Sequence, residues 1–285
     1  MTDTTIDLSG LLGVLAIDGP DAATFLQGQA TCDTRLVTPS RGALGALCNL
    51  QGRMIVSFHV LPSAGGLYLV MPHDRVVAVL QHLKKYAVFS KVTLHDAGPE
   101  LAVSGITGAV SAEPFAMETR GDARIMQLAG NRRLILAPRG SVPAGNGDTA
   151  AWLAAGIAAG ELLVDSANAD KYLPQAFNYD LIDGVSFRKG CYTGQEVVAR
   201  MHFKGKMKER LYHATTGVHA IPAAGAPVQD AAGRHVGDVV AAVNAGTHGA
   251  LAAVLRHDAV DAGTLRLADG TSLTVLPPAL SFPER

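Results

Sequence analysis

Apolar residues fall in short runs along the first half of the chain, broken by glycine, proline and acidic residues. Leu12 to Ile17 reads as a strand. A helix opens at Pro20-Asp21, because proline and an acid suit a first helical turn. Ala22, Phe25, Leu26 and Gln29 follow at helical spacing, with Gly28 as a C-terminal breaker. Ala43 to Val60 is strand-like, interrupted by Asn49-Leu50-Gln51-Gly52-Arg53, a hairpin signal with glycine at the turn. Leu67 to Met71 is another strand. Asp74 is placed to cap an amphipathic helix whose apolar stripe is Val76, Val77, Val79, Leu80 and Leu83. Strands are predicted at Val88 to Leu94, Leu101 to Ser104, Arg124 to Leu128 and Arg133 to Ala137. This mixture predicts an α+β sandwich of ferredoxin-like type.

Residues 139–147 are rich in Gly, Pro, Ser and Asn and read as a linker. Asp148 or Thr149 caps a helix through Trp152 and Ile157. Leu181 to Phe187 reads as a strand, and Thr193 with Glu196 makes a capping box that starts a helix there. After Arg210, short alternating segments near 211–215, 226–229, 235–243, 249–255 and 271–276 are separated by glycine, proline and aspartate. That pattern predicts a small β-barrel or sandwich.

The chain has 285 residues, 48% hydrophobic and 17% charged, enough for several domains with sizeable cores. A formal net charge of −1 argues against strong nucleic-acid binding through phosphate contacts. Cys32, Cys48 and Cys191 are an odd set without C-x-x-C spacing, so neither a disulfide framework nor a zinc or iron–sulfur ligand set is indicated. Reduced thiols fit a cytoplasmic protein. The first residues, Met1 to Asp7, carry no basic or apolar leader pattern. The longest uncharged apolar run, Ala150 to Gly160, is too short to span a bilayer, so no membrane association is expected.

The run Lys189-Gly190-Cys191-Tyr192-Thr193-Gly194-Gln195-Glu196 puts a thiol just ahead of a predicted helix start, with Arg188 and Lys189 beside it in sequence. Helix-start N–H groups and neighbouring cations favour a thiolate. The same run also fits a turn in which Cys191 is only a small packed residue. Glu196 and Arg200 stand at i,i+4 and predict a surface ion pair. Lys204, Lys206, Lys208 and Arg210 recur at every second residue; in an extended segment they would share a face, as an anion site or as a charged edge strand. Asn49, Gln51 and Arg53 carry groups that pair with a flat heterocycle, though a hairpin tip has the same composition. Gln27-Gly28-Gln29 poses the same choice. The scattered histidines make no metal-site spacing.

Lys189 to Arg200 resembles the signature of the YgfZ family, folate-binding proteins related to the T-protein (aminomethyltransferase) of glycine cleavage. Asp165-Ser166-Ala167-Asn168, Leu173-Pro174-Gln175, Asn178, Phe25 to Gln29 with Asp33, and Asn49 to Arg53 extend the resemblance over most of the chain. It implies three domains around a central channel holding tetrahydrofolate, with ferredoxin-like α/β sandwich parts and a C-terminal β-barrel. On that pattern 1–48 with 142–210 form one discontinuous domain, 49–141 a second and 211–285 the barrel. It further implies an accessory role in assembling or repairing iron–sulfur proteins, including radical enzymes that thiolate tRNA, with client proteins or assembly machinery as partners. Cys191 is then the catalytic, reactive residue. Asn49 and Arg53, which line the channel, together with Lys189, Gly190, Gln195, Glu196 and Arg200, which shape the position of the thiol beside the pterin, are the cofactor-binding residues. The alternative is a folate-dependent aminomethyltransferase of the T-protein type. Val56 and Ser57 stand where T-proteins carry a pair of aspartates, and Ala158 where they carry a folate-contacting glutamate. These departures favour the accessory role. An interaction module that only tethers partners is a third reading.

Overall fold

The structure is a computed structural model of the chain; it describes residues 5–108, 112–141, 145, 147–217, 221–278 and 280–282. Ten strands come first: β1 (Thr5–Asp7), β2 (Leu12–Asp18), β3 (Ala43–Cys48), β4 (Met54–Pro62), β5 (Gly66–Pro72), β6 (Thr93–Asp96), β7 (Leu101–Thr107), β8 (Met117–Arg120), β9 (Ala123–Leu128) and β10 (Arg132–Pro138). Six more follow: β11 (Glu209–Thr216), β12 (Pro227–Asp230), β13 (His235–Asn244), β14 (Gly249–Arg256), β15 (Leu265–Leu267) and β16 (Ser272–Val275). The helices are α1 (Ala22–Gln27), α2 (Val76–Lys84), α3 (Thr149–Ala159), α4 (Gln195–Lys204) and α5 (His257–Ala262).

The strands form an antiparallel sheet β3-β4-β5-β2-β6, a second antiparallel sheet β1-β7-β10-β9-β8, and a closed barrel β11-β14-β13-β12-β15-β16. In the first sheet both faces are buried. Leu15 and Ile17 of β2 and Phe58 and Val60 of β4 pack with Phe25, Leu26, Val79 and Leu83 of α1 and α2. Val14 and Ala16 turn the other way, into a larger core with Val103, Met126, Leu134, Trp152 and Phe177. Period two with both faces dry makes such a strand read as an unbroken apolar run. The second sheet covers that core from the far side, and α3 wedges between it and the barrel. Gly105 lets α3 in: a Cβ there would lie 2.6 Å from the Trp152 ring.

Several expectations are corrected. The Val88 to Leu94 strand shrinks to β6, since Val88 and Phe89 point to solvent around a short turn at Ala87–Phe89. Asp74 does not cap α2; it accepts hydrogen bonds from the backbone N–H and hydroxyl of Ser166. Leu181 to Phe187 forms turns, because Asp183 sits at φ +59° and Gly184 presses on the Tyr179 ring. The segment docks instead by its Gly184 carbonyl, which accepts from Thr31 Oγ1 at 2.6 Å. The capping box does not form. Gly194, at φ +83°, caps α4 without a side-chain bond, and a side chain there would strike the Asn49 carbonyl. Sequence periodicity missed the short β1, β8 and β15 and the six-residue α5. β3 and β4 pair as one antiparallel hairpin, with Cys48 opposite Met54. The linker prediction at 139–147 falls partly outside the described residues.

Candidate functional site: a cavity where two sheets meet the barrel

A cavity of about 520 Å³ lies where the two sheets, α3 and the barrel converge. Its apolar walls include Leu12, Leu128, Trp152, Phe177 and Val240; polar side chains reach it from His59, Arg132, Glu161, Asp165 and Asn168. That size and balance suit a flat organic ligand. Asn168 donates to Asp165 at 2.8 Å and to the Val240 carbonyl at 3.0 Å, tying this wall to the barrel.

The densest chemistry is a buried network. Arg132 Nη2 lies 3.0 Å from Glu161 Oε1, and His59 Nε2 lies 3.3 Å from the same oxygen. The Ala129 N–H donates to Glu161 Oε2 at 3.2 Å, and Arg132 also lies over the Trp152 ring at 4.9 Å. Burial works to raise the Glu161 carboxyl, but Arg132, His59 and the Ala129 N–H together hold it below its ordinary value. Burial pushes the Arg132 guanidinium down, against the attraction of Glu161. Sequence reading missed all three residues. The available signals were a lone acid in the apolar stretch Ala158 to Val164 and a histidine between Phe58 and Val60.

Ser57, on the same face of β4, is fully buried in a hydrogen-bond chain. The Val164 N–H donates to Ser57 Oγ at 2.7 Å, Ser57 and Tyr179 share a hydroxyl contact of 2.6 Å, and Tyr179 donates to the Leu162 carbonyl at 2.7 Å. Ser57 therefore fastens segment 162–164 to the sheet.

None of the eight residues singled out from sequence borders this cavity. Asn49 and Arg53, expected in its wall, fasten the hairpin turn elsewhere. Asn49 donates to Asp170 at 2.8 Å and Arg53 to the Lys171 carbonyl at 2.8 Å. Gly194 packs on that turn, so the hairpin and the start of α4 do meet, with Gln195 half-buried beside Gly190 and with Glu196 and Arg200 exposed. Among the described residues Glu196 and Arg200 form no ion pair; their side chains point to water, where such a pair is worth little. Arg210 leaves the predicted cationic stripe for a buried two-bond pair with Asp180, at 2.9 and 2.8 Å.

Lys189 also departs from expectation. Its ammonium turns away into a nest of carbonyls, donating to Gln27 at 2.6 Å, Ala30 at 2.5 Å and Cys32 at 2.8 Å. Gln27 organises the same corner by accepting from Thr34 and donating to Asp33. Burial pushes Lys189 down to about 8, so it is still mostly charged at neutral pH. Lys189→Met should strand three carbonyl acceptors and lower stability by about 2–3 kcal/mol, read as a lower urea midpoint at unchanged slope; a loss below about 1 kcal/mol would show the nest to be hydrated.

The thiols divide sharply. Burial pushes Cys32 up to about 11 and Cys48 up to about 12, while Cys191 is exposed. Cys191, flanked by the exposed Arg188 and Gly190, is the thiol within reach of solvent or a partner. Among the described residues, no cluster of His, Cys, Asp or Glu is fit to hold a metal ion, and no helix is long and apolar enough to cross a membrane.

Two antiparallel sheets and a six-stranded barrel closing on one cavity give the chain an aminomethyltransferase-like fold. The fold matches the glycine cleavage system aminomethyltransferase T from Bartonella henselae with a TM-score of 0.71 over 96% of this chain and 85% of that one, at 14% identity. In sequence, the chain is 34% identical over 255 residues to the tRNA-modifying protein YgfZ of Klebsiella pneumoniae (strain 342), covering 80% of this chain and 77% of the relative. It is 31% identical over 302 residues to tRNA-modifying protein YgfZ of Yersinia pestis (strain Pestoides F), covering 95% and 91%. The chain belongs to the YgfZ family. No protein-family model matches it.

Proposed function

We propose that this chain is a cytoplasmic, tetrahydrofolate-binding accessory protein for assembly or repair of iron–sulfur proteins, among them enzymes that modify tRNA. The observation that carries the reading is the cavity itself, with apolar walls around a small set of convergent polar groups, in the fold of an aminomethyltransferase. The relatives' name, tRNA-modifying protein, supports the link to tRNA. The residues fit a folate ring: Trp152, Leu128 and Phe177 offer apolar surface, and His59, Asp165 and Asn168 offer hydrogen-bonding groups. Folate supplies one-carbon or redox chemistry when bound; the chain's part is to hold and orient it.

Aminomethyl transfer is the weaker reading. Val56 is buried apolar surface and the Ser57 hydroxyl is engaged with Val164 and Tyr179, so this stretch of β4 offers no carboxylate to a folate amine. Cys191, outside the cavity, would act on a docked client, with Gly190, Gln195, Glu196 and Arg200 framing it.

Calorimetric titration with tetrahydrofolate should show saturable binding. Ala241→Trp, which fills the cavity from the barrel side, should weaken it at least ~10-fold while leaving the thermal midpoint nearly unchanged. Absence of saturable binding to the wild-type chain overturns the reading.

A further inference from the structure

Three aromatic rings gather where α4 ends against the segment that leads to the Cys191 loop. The Phe187 and His202 rings stack at 3.7 Å between centroids and 13° between planes. Phe203 is in T-shaped contact with both, 5.9 Å from Phe187 and 4.8 Å from His202. At 5.9 Å it is too near Phe187 to lie on the far face of His202, so it stands beside the stack. That far face carries no ring among the described residues; His202 is exposed, and Phe203 is 68% exposed. Single exposed apolar residues are ordinary on a protein surface, but a stacked pair with an open face can take a further flat ring.

The charge around the rings is one-sided. Residues 187–208 hold six lysines and arginines and one acid, Glu196, in a chain whose net charge is −1. Lys189 turns inward, which leaves Arg188, Arg200, Lys204, Lys206 and Lys208. All five are exposed, and none is in an ion pair among the described residues. Glu196 opens α4, at the end away from Phe203. The carbonyls of the last helical turn account for Lys204. They do not account for Lys206 and Lys208, which lie beyond the helix, or for Arg188, which precedes it. Nor do the lysines blunt a sheet edge, because the strand they lead into, β11, is paired on both sides in the closed barrel. Open rings among unpaired cations match a strand of unpaired nucleotides, whose bases stack and whose phosphates meet the cations. A duplex hides its base faces, and the carboxylates of an acidic peptide leave the open imidazole face unused.

We propose that His202 and Phe203, backed by Phe187 and flanked by Arg188, Lys204, Lys206 and Lys208, form a stacking surface for single-stranded RNA. The choice of RNA over DNA rests on the proposed role beside enzymes that modify tRNA; the stacking and the charge do not depend on it. The overall charge of −1 averages over this local asymmetry, so the binding is confined to one patch and weakens steeply with salt.

The test is fluorescence anisotropy of the full chain with a short labelled RNA of mixed sequence, offered as the single strand, as the duplex with its complement, and as DNA of the same sequence. The single strand should bind saturably at low salt, at least ~10-fold tighter than the duplex and tighter than the DNA. Phe203→Ala and Phe203→Leu should each weaken binding at least ~5-fold without changing its salt dependence, because stacking releases no counterions. Lys204→Gln combined with Lys206→Gln should instead reduce the slope of log affinity against log salt by about 1.4. These side chains are exposed and do not border the cavity, so circular dichroism and tetrahydrofolate binding should be unchanged in every variant. Equal binding of strand and duplex, or full affinity in either Phe203 variant, overturns the proposal. Equal affinity for the DNA overturns the assignment to RNA. No RNA binding alongside intact tetrahydrofolate binding overturns the proposal, gives the surface to a protein partner and leaves the folate reading standing. RNA binding of the expected kind without tetrahydrofolate binding supports the proposal and overturns the folate reading.

Discussion

Arg132→Met should lower the unfolding free energy by about 3–5 kcal/mol at neutral pH, the range for removing one partner of a buried ion pair. The guanidinium is 5% exposed, bonds Glu161 Oε1 at 3.0 Å and donates to the Ala129 carbonyl at 3.0 Å. Methionine fills the volume and keeps contact with Trp152, so the loss isolates the charge. Glu161 would then rest on His59 and one backbone N–H inside an apolar wall. The pH dependence gives a second readout. In the wild type the Glu161 carboxyl is held below its ordinary 4.5, so its stabilising contribution is complete above that value and disappears as pH falls through the lower, folded one. Without Arg132, burial raises the carboxyl above 4.5, and the variant's deficit shrinks once acidification protonates it. Urea unfolding at pH 7 and pH 4.5 should therefore show the gap between the two proteins narrowing at the lower pH. A deficit below about 1 kcal/mol at pH 7 would mean that water reaches the pair.

How much of this was visible in the chain depends on distance along it. Strands with both faces buried announced themselves as apolar runs, as at Leu12 to Ile17, and α3 was marked by Asp148, whose carboxylate does accept from the Ala150 N–H at 2.8 Å. Leu181 to Phe187 misled because it docks through Gly184, whose carbonyl accepts from Thr31 and whose backbone lies against the Tyr179 ring, a tertiary circumstance that leaves no period. At the site, the Lys189 to Glu196 run was legible as a unit, but the direction of the lysine was not: its three acceptors lie 157 to 162 residues away. The network in the cavity wall was invisible for the same reason, since His59 and Arg132 meet Glu161 across separations of 102 and 29 residues. A motif scan finds residues that act from one loop. It does not find residues brought together from two sheets and the segment after α3.

If the proposed iron–sulfur role holds, Cys191→Ser should abolish rescue of iron–sulfur enzyme activity in a strain lacking the chain, while shifting stability by no more than about 0.5 kcal/mol. The small effect on folding follows from exposure, for the side chain packs against no core cluster. The large effect on function follows from the contrast among the three thiols: Cys32 and Cys48 are sealed in and held protonated by burial, so only Cys191 can meet an oxidant, a sulfur species or a partner's metal centre. Serine keeps the size and hydrogen-bonding capacity of the position but cannot form a persulfide or disulfide. The turn that carries the thiol is fixed from both ends, by the Lys189 ammonium in its carbonyl nest and by Gly194 against the hairpin, which presents the sulfur on a rigid loop. Tetrahydrofolate binding should survive the substitution, since Cys191 does not border the cavity. Full rescue by the serine variant would remove the thiol from the mechanism. Loss of rescue together with loss of tetrahydrofolate binding would instead couple the loop to the cavity.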